Sequence, residues 1–320
     1  MNASVKANAV KIAVLDDYQG VALQLADWSA VTARAQVVVF KDHLADADAL
    51  VERLLPFDVV CVMRERTPLP RSVIERLPQL KLIASTGRRN ASIDVEAATE
   101  RGIAVAHTGY DARSTIELTW ALILASARQV APENANLRAA GWQLTIGESL
   151  HGKTLGVLGL GNIGSEVARI GLAFGMEVIA WSQNLTADKA QTFGALLVSK
   201  EELFRSADIV TIHVVLSERT KGLAGAAELQ AMKPSARLIN TSRGPIVDER
   251  ALIEVLRNRR IAGAALDVFD VEPLPRDHPF RSLDNVLATP HIGYVARDLY
   301  RTFYGDTVKN IERWLVQQSR

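Results

Sequence analysis

The chain has 320 residues, of which 48% are hydrophobic, so it can bury the cores of two domains without disulfide bonds. Lysine and arginine total 37 and aspartate and glutamate total 36, and this balance gives no electrostatic reason to expect a nucleic acid or a membrane surface as partner. The sequence has no transmembrane stretch, no secretion signal and only one cysteine, Cys61, so we expect a cytoplasmic protein.

The first hundred residues alternate between short β-branched runs and segments with helical spacing. Helices are predicted at 46–55 and 72–77, and prolines punctuate the loops between elements. This βαβ alternation predicts a parallel sheet covered by helices. The predicted strands lie at 11–15, 36–40, 59–62, 82–84 and 104–106.

A long helix is predicted over residues 113–129, where Leu118, Ala121, Leu122 and Ala125 recur at spacings of three and four residues. Its apolar character extends nearly all the way round. Such a helix is buried on several sides, either within a domain or between subunits.

A second βαβ series begins near residue 153, with helices predicted at 165–173, 200–205 and 249–258. The last segment, 296–318, is again helical. Six strands with intervening helices make one doubly wound domain, so we predict an α/β protein with two doubly wound parallel-sheet domains. The strands of this series are predicted at 154–158, 177–181, 209–213, 237–240, 263–268 and 286–288.

The glycine-rich sequence GLGNIG at 159–164 stands between a predicted buried strand and a helix, the context that gives a GxGxxG pattern its meaning. Gly159 permits the tight turn, Gly161 lets the backbone approach a pyrophosphate, and Gly164 lets helix and strand pack closely. The N–H groups at the start of the helix, at Asn162 and Ile163, favour an anion. The motif therefore predicts a bound dinucleotide.

The next strand ends at Trp181, Ser182, Gln183 and Asn184, where dinucleotide-binding domains place the group that meets the adenosine ribose. No acidic residue stands there to bind the ribose hydroxyls, and no arginine to bind a 2′-phosphate. Ser182 can hydrogen-bond either group. The cofactor is NAD or NADP, and the missing basic residue favours NAD.

Three further motifs each follow a predicted strand, at the edge where doubly wound sheets bind ligands. They are NTSRG at 240–244, ALDVFDVEP at 265–273 and TPHIGY at 289–294. Together with GKTLGVLGLGNIG at 152–164, they resemble the D-isomer-specific 2-hydroxyacid dehydrogenases. That family includes hydroxypyruvate and glyoxylate reductases and D-3-phosphoglycerate dehydrogenases, and the resemblance runs from about residue 81 to 294.

The resemblance implies hydride transfer between a nicotinamide cofactor and C2 of a small 2-oxo or D-2-hydroxy acid. Arg243 would clamp the substrate carboxylate, as a bidentate fork can do. His291 would act as general acid and base, and Glu272 would hydrogen-bond its other ring nitrogen. Asp267 and Asp270 are acidic competitors for the role of Glu272.

The resemblance also assigns residues around the cofactor. Asp267 resembles the acid that meets the nicotinamide end, and Thr241 is expected to contact the cofactor. His213 ends a strand in HVVLSERT, where Val215 replaces the proline of the family, and is expected to line the cofactor site or to be structural. No metal site is predicted.

Residues 85–94 align with the glycine-rich substrate loop of the family. The backbone N–H groups near Thr86 and Gly87 could cradle a carboxylate. Arg89 replaces the second glycine of the family pattern, and Arg88 and Arg89 either reach a second anionic group of the substrate or point to solvent. Asp94 is expected to be a helix N-cap.

Family membership would place a Rossmann cofactor domain, 109–295, inside a flavodoxin-like substrate domain made of 1–108 and 296–320, with the active site in the cleft between them. The apolar helix near 114–128, with Trp142 beyond it, resembles the family's dimer-forming arm and implies a homodimer. D-3-phosphoglycerate dehydrogenase is the nearest alternative function. A dinucleotide-sensing corepressor is the alternative outside enzymes, and the set of Arg243, Glu272 and His291 argues against it.

Overall fold

The computed structural model describes residues 10–318, which fold into two compact units. Unit 1 contains the chain up to Asp111 together with the residues from Ala296 onward, and unit 2 contains Ala112–Val295. Each unit is built on one parallel sheet, as the sequence predicts. Within the described residues, no helix is both long and apolar enough to cross a membrane.

Unit 1 contains a five-stranded parallel sheet with the strand order β2-β1-β3-β4-β5. This order is that of flavodoxin-like folds, and all five predicted strands are confirmed to within one residue at each end. The helices are α1 (Ser29–Thr32), α2 (Ala47–Leu54), α3 (Arg71–Ile74), α4 (Val95–Glu100) and the C-terminal α12 (Arg297–Gln317). The strands are β1 (Val10–Val14), β2 (Ala35–Val39), β3 (Val59–Val62), β4 (Leu82–Ser85) and β5 (Ala104–His107).

Burial on both faces explains the continuous apolar runs of the central strands, since β3 and β4 are buried at every residue. Capping explains where the helices begin. The side chain of Asp46 accepts a hydrogen bond from the N–H of Ala49 at the start of α2, and Asp94 does the same for Ala97 at the start of α4. The predicted N-cap at Asp94 is therefore confirmed.

Unit 2 contains a seven-stranded parallel sheet with the order β12-β11-β10-β9-β6-β7-β8. The six predicted strands are present, and the structure adds the two-residue strand β8, which is too short to show a pattern in sequence. The strands are β6 (Thr154–Leu158), β7 (Glu177–Trp181), β8 (Leu196–Leu197), β9 (Ile209–Ile212), β10 (Arg237–Asn240), β11 (Gly263–Leu266) and β12 (Val286–Ala288).

All strands of this sheet are parallel, but the side on which successive strands are added changes at β6. This strand pairs with β7 on one side and with β9 on the other. Ligands of doubly wound sheets bind at the carboxyl ends of the strands beside such a change of side. The helices of unit 2 are α5 (Arg113–Ala127), α6 (Val130–Arg138), α7 (Asn162–Ala173), α8 (Ala187–Gln191), α9 (Lys200–Ser206), α10 (Ala226–Ala231) and α11 (Glu249–Arg257). Two short 3-10 helices, Gly244–Ile246 and Pro279–Arg281, complete the unit.

The long apolar helix predicted near residue 113 is confirmed as α5, which buries Ile116, Trp120 and Ile123. The helix that follows, α6, buries none of its residues. Beyond it the chain runs without regular structure, and Glu133 of α6 accepts hydrogen bonds from the backbone N–H groups of Leu144 and Thr145. Five apolar side chains of this region are more than half exposed: Val130, Leu137, Trp142, Leu144 and Ile146.

Truncating Phe303 tests the packing of unit 1, since this residue of α12 is fully buried and stacks on Tyr110 with ring centroids 6.5 Å apart. We expect Phe303→Ala to lower the free energy of unfolding of unit 1 by about 3–5 kcal/mol. Leu55→Ala removes a side chain that is 43% exposed and should cost less than about 1 kcal/mol. Hydrogen exchange of the α12 amides during urea titration measures the free energy of unfolding of unit 1 in each variant. Equal losses in the two variants would contradict the packing described.

Candidate functional site

The glycine turn after β6 has the shape that a pyrophosphate group requires. Gly159 has a φ of +104°, and a Cβ there would lie 2.8 Å from the backbone of His213. A Cβ on Gly164 would lie 2.0 Å from the carbonyl oxygen of Gly159, whereas one on Gly161 would meet nothing within 4 Å. Gly159 and Gly164 therefore serve packing, and the backbone at Gly161 is left open to a ligand.

The helix that begins at this turn is suited to an anion. Its first residues, Asn162 and Ile163, follow Gly161, which as N-cap offers no side chain to the free N–H groups, and the first turn carries no acidic residue. These N–H groups have no partner within the helix and lie at its positive dipole end. The residues present therefore fit the pyrophosphate of a dinucleotide.

The neighbouring strands supply uncharged groups beside the glycine turn. Ser182 is half-buried directly after β7, and Gln183 and Asn184 are exposed. His213 follows β9, and its Nε2 lies 2.8 Å from Oγ1 of Thr211. Burial lowers the pKa of His213 to about 3, so its ring is neutral at physiological pH and unsuited to acid–base exchange there.

The segment after β10 is held by a buried amide. Asn240 is 1% exposed; its Nδ2 donates to the carbonyl of Arg243, and its Oδ1 accepts from the N–H of Ser242. The hydroxyl of Ser242 donates to the carbonyl of Ile212 at the end of β9. Nη1 of Arg243 donates to the carbonyl of Ser242 at 2.7 Å. The backbone that carries Arg243 is thus fixed to two adjacent strand ends.

Thr241, which the sequence assigns to the cofactor, is 7% exposed, and its Oγ1 lies 2.8 Å from Oγ1 of Thr119 in α5. This contact fastens the strand end to the helix. The role of the Thr241 side chain toward the cofactor stays a prediction.

Glu272 and His291 form a direct hydrogen bond. Oε2 of Glu272 lies 2.5 Å from Nδ1 of His291, and Oε1 accepts from the N–H of Phe269 at 3.0 Å. Burial acts to raise the pKa of Glu272, but the His291 hydrogen bond and the charges of His291 and Arg243 outweigh it, so the pKa lies below its usual value. The carboxylate is therefore ionised at neutral pH. The predicted hydrogen bond is present, and the competitor Asp267 is bonded elsewhere.

The turn that carries His291 is held by Asp267. This residue is fully buried; its Oδ1 accepts from Oγ1 of Thr289 and the N–H of Ile292, and its Oδ2 accepts from the N–H of Gly293. Burial raises the pKa of Asp267 although these hydrogen bonds act to lower it. His291 itself has a φ of +51°, a conformation that costs energy in a non-glycine residue. Asp267 stabilises the surrounding backbone that imposes it.

Gly244 brings the segment of Arg243 against the loop that carries Glu272. A Cβ on Gly244 would lie 2.0 Å from the carbonyl carbon of Phe269 and 2.5 Å from the nitrogen of Asp270. Only a glycine allows these two backbones to approach so closely. Arg243, Glu272 and His291 consequently lie at one edge of the sheet of unit 2, a guanidinium beside an ionised carboxylate and an imidazole.

The predicted substrate loop of unit 1 is held by hydrogen bonds within the unit. The N–H of Thr86 donates to the carbonyl of Val62, and the N–H of Gly87 donates to Oγ1 of Thr108. Both amides are thus bonded within the unit, and a role of Thr86 and Gly87 toward a substrate stays a prediction. Arg88 and Arg89 are both exposed, and their role stays a prediction.

Arg64 is the side chain at this loop that the sequence reasoning missed. Its Nη1 would lie 1.7 Å from a Cβ on Gly87, which shows how closely the guanidinium covers the loop, and its Cζ lies 5.1 Å from the ring centroid of Tyr110. Arg64 lies two residues beyond the end of β3, so the rule that places ligands at strand ends could have found it.

Comparison with known proteins agrees with the chemistry of this site. Residues 120–293 match the family model described as D-isomer specific 2-hydroxyacid dehydrogenase, NAD binding domain. The matched range contains the glycine turn and the residues Arg243, Asp267, Glu272 and His291.

Curated relatives cover most of the chain. It is 42% identical to the glyoxylate reductase of Aeropyrum pernix over 71% of this chain and 70% of the relative. It is 38% identical to the hydroxypyruvate reductase of Thermotoga maritima over 87% and 91%. It is 39% identical to the D-3-phosphoglycerate dehydrogenase of Methanocaldococcus jannaschii over 83% of this chain, but spans only 52% of that relative.

Solved structures of other proteins are similar to this chain over nearly its whole length. The phosphoglycerate oxidoreductase of Vibrio cholerae superposes with a TM-score of 0.91 at 36% identity and covers 96% of this chain and 99% of its own. The D-lactate dehydrogenase of Aquifex aeolicus, complexed with NAD and lactic acid, has a TM-score of 0.77 at 25% identity and covers 96% of each chain.

Replacing Asp267 by asparagine tests whether it holds the His291 turn. The new amide would oppose the N–H of Gly293, two donors facing each other in a buried place, which costs about 1–3 kcal/mol. We expect kcat to fall by about 10- to 100-fold with little change in the dissociation constant of the reduced cofactor. Asp277→Asn, at an exposed position, serves as control.

Fluorescence titration and steady-state kinetics on the same preparations separate the two roles of Asp267. If Asp267→Asn weakened cofactor binding and left kcat unchanged, the result would contradict the positioning role and support the predicted nicotinamide contact.

Proposed function

The chain belongs to the D-isomer specific 2-hydroxyacid dehydrogenase family, and from this membership and the geometry of its site we propose that it transfers a hydride between NAD(P)H and C2 of a small 2-oxo acid, giving a D-2-hydroxy acid. The observation that carries the proposal is the hydrogen-bonded pair of His291 and Glu272, placed beside Arg243 at the carboxyl ends of the strands of unit 2. A dinucleotide sensor would need no such pair, so that alternative is not favoured.

His291 supplies the proton in this proposal. Because Nδ1 is bonded to Glu272, Nε2 is the ring nitrogen that would give a proton to the C2 oxygen during reduction and take it back during oxidation. The ionised Glu272 accepts the hydrogen bond of Nδ1 and fixes the plane of the ring. Arg243 would bind the substrate carboxylate and orient the 2-oxo group toward His291.

The nicotinamide cofactor, when bound, supplies the hydride, and residues of unit 2 would hold it. The open backbone at Gly161 and the N–H groups of Asn162 and Ile163 fit its pyrophosphate. The neutral His213 and the hydroxyl of Ser182 would line the rest of the dinucleotide. Since no charged residue stands at 182–184, either NAD or NADP fits, and the absence of a basic group there leads us to favour NAD.

Unit 2 is thus the proposed cofactor domain, and unit 1 the proposed substrate domain, with Thr86, Gly87 and Arg88 kept as proposed substrate contacts. A substrate with a second anionic group, such as a phosphorylated hydroxy acid, is the second candidate, favoured by the exposed guanidinium groups of Arg88 and Arg89. We place the enzyme in the cytoplasm, since a single buried Cys61 suits a reducing compartment.

We also propose a homodimer formed through the arm, defined as residues 130–146. The arm begins with α6, which has no buried residue, and continues with three largely exposed apolar side chains, Trp142, Leu144 and Ile146. Monomeric proteins seldom leave such an apolar surface exposed to water. A second copy of the chain fits it, because a twofold interface pairs identical apolar surfaces.

Activity assays test the reaction. Purified protein mixed with glyoxylate, hydroxypyruvate, pyruvate, phenylpyruvate or a phosphorylated 2-oxo acid should oxidise NADH, and NADPH less efficiently, as followed by absorbance. His291→Asn should lower kcat by at least about 100-fold while cofactor affinity stays within about twofold. His151→Asn, at an exposed histidine of unit 2, should leave both unchanged. Failure of every 2-oxo acid to oxidise either cofactor would refute the proposed function.

Light scattering tests the dimer. The chain has a mass of 34.9 kDa, and we expect the wild type to have twice that mass in solution. Ile146→Asp, which places a charge on a side chain that is 97% exposed, should produce monomers because it would bury an unpaired carboxylate in the interface. Leu196→Asp, at an exposed position of β8, is the matched control. A monomeric wild type would rule out this assembly.

A further inference from the structure

The loop that carries Glu272, defined here as residues 269–278, is tied near both of its ends to one side chain. Glu249, the first residue of α11, places Oε1 3.0 Å from Nε2 of His278. Its Oε2 accepts a longer hydrogen bond, 3.4 Å, from the N–H of Asp270. One carboxylate thus bridges the two positions that flank Glu272 in the loop.

The hydrogen-bond pattern indicates the tautomer of the His278 ring. Its Nδ1 accepts from the N–H of Phe280 at 3.3 Å, so the ring proton is on Nε2 and is donated to Glu249. The ring packs on buried Phe280 with centroids 4.9 Å apart. The side chains of His278 and Glu249 are only 13% and 20% exposed, so this contact is better shielded from water than an ordinary surface pair.

Within the Glu272 loop, Oε1 of Glu272 accepts from the N–H of Phe269 and Leu274 packs against the core of unit 2, but most other residues of its middle part are exposed. Val271 is 61% exposed, and the residues from Pro275 to Asp277 are exposed as well. Arg281 bonds the carbonyls of Leu274 and Pro275, which steadies the later half of the loop but does not anchor it to α11. The place of the Glu272 carboxylate therefore depends on the points where the loop is anchored.

Glu249 also connects the loop to the segment that carries Arg243. Only five residues separate Arg243 from Glu249, and between them Gly244 packs on the peptide that joins Phe269 to Asp270. The N–H of that same peptide, which belongs to Asp270, donates to Glu249. Arg243 and Glu272 are thus held at a fixed separation by backbone packing and one carboxylate.

We propose that Glu249 and His278 are positioning residues that hold the carboxylate of Glu272 on Nδ1 of His291. Neither residue is proposed to touch the substrate or the cofactor; they act through Glu272. The expected effect on turnover rests on the proposed function, whereas the expected effect on the hydrogen bond between Glu272 and His291 does not.

A double-mutant cycle tests the effect on turnover. Glu249→Ala and His278→Ala should each lower kcat by about 10- to 100-fold and leave the KM of the cofactor within about twofold. Glu249→Gln keeps an acceptor oxygen for His278 and should retain most of the activity. In a Glu272→Gln background, Glu249→Ala should change kcat by less than about twofold, because the group it positions has been replaced. Glu254→Ala, at an exposed glutamate of α11, is the control.

An equal loss from Glu249→Ala in both backgrounds would show that Glu249 acts through general stability, and the proposal would be overturned.

Proton NMR of protein with ¹⁵N-labelled histidine rings reads the hydrogen bond without any turnover. The Nδ1 proton of His291 should give a strongly downfield resonance that Glu272→Gln abolishes. Glu249→Ala and His278→Ala should weaken or shift that resonance, and Glu254→Ala should not. If both variants leave it unchanged, or if the wild type lacks it, the proposal is wrong even if the enzyme reduces 2-oxo acids. If the resonance behaves as expected but no 2-oxo acid reacts, the proposed function alone fails.

Discussion

The buried carboxylate of Asp267 is the constraint on which the site depends. It lies at the carboxyl end of β11 and accepts three hydrogen bonds from the turn after β12, two of them from backbone N–H groups. Burying a charge without such partners would cost several kcal/mol, so the turn and the carboxylate stabilise each other only together. The left-handed conformation of His291 is thereby held in place, and its ring is brought to Glu272.

The groups around His291 are joined by hydrogen bonds that run across adjacent strand ends. Asn240 fixes the backbone of Arg243, Gly244 lets that segment touch the loop of Glu272, and Glu249 ties the loop to α11. The strands of a parallel sheet all have their carboxyl ends at the same edge. Residues that follow different strands are therefore neighbours in space although they are far apart in sequence. What this chain adds is a set of buried polar side chains that fix each loop. Such preorganisation lets a site act on developing charge without first rearranging.

Much of the fold followed from the sequence because parallel strands are buried on both faces and show as apolar runs. Of the twelve strands within residues 10–318, eleven could be located in this way. The glycine turn could be assigned because Gly159, Gly161 and Gly164 occur between a strand and a helix. The exception, β8, has two residues and no pattern. The pairing of Glu272 with His291 came from family resemblance, since three acidic residues compete within six positions.

The contacts that the sequence did not predict have a common physical cause, since they join residues that are distant along the chain. Whether an N–H is available to a ligand depends on its partner in space, and the partner of Gly87, the hydroxyl of Thr108, lies 21 residues away. Glu249 and His278 are 29 residues apart, and neither belongs to a recognisable motif for a shared role. Arg64, whose side chain lies over Gly87, has a backbone φ of +52°, which the local sequence does not signal.

Family membership and the His291–Glu272 pair together imply that this chain delivers a hydride to one face of C2 of a 2-oxo acid. The most direct measurement follows deuterium from nicotinamide cofactor labelled at C4, with the product analysed by NMR and chiral chromatography. We predict that the reduced acid carries one deuterium at C2 and has the D configuration, when the cofactor is labelled on the face the enzyme uses. A product of mixed configuration, or one without deuterium at C2 from either labelled face, would contradict the claim.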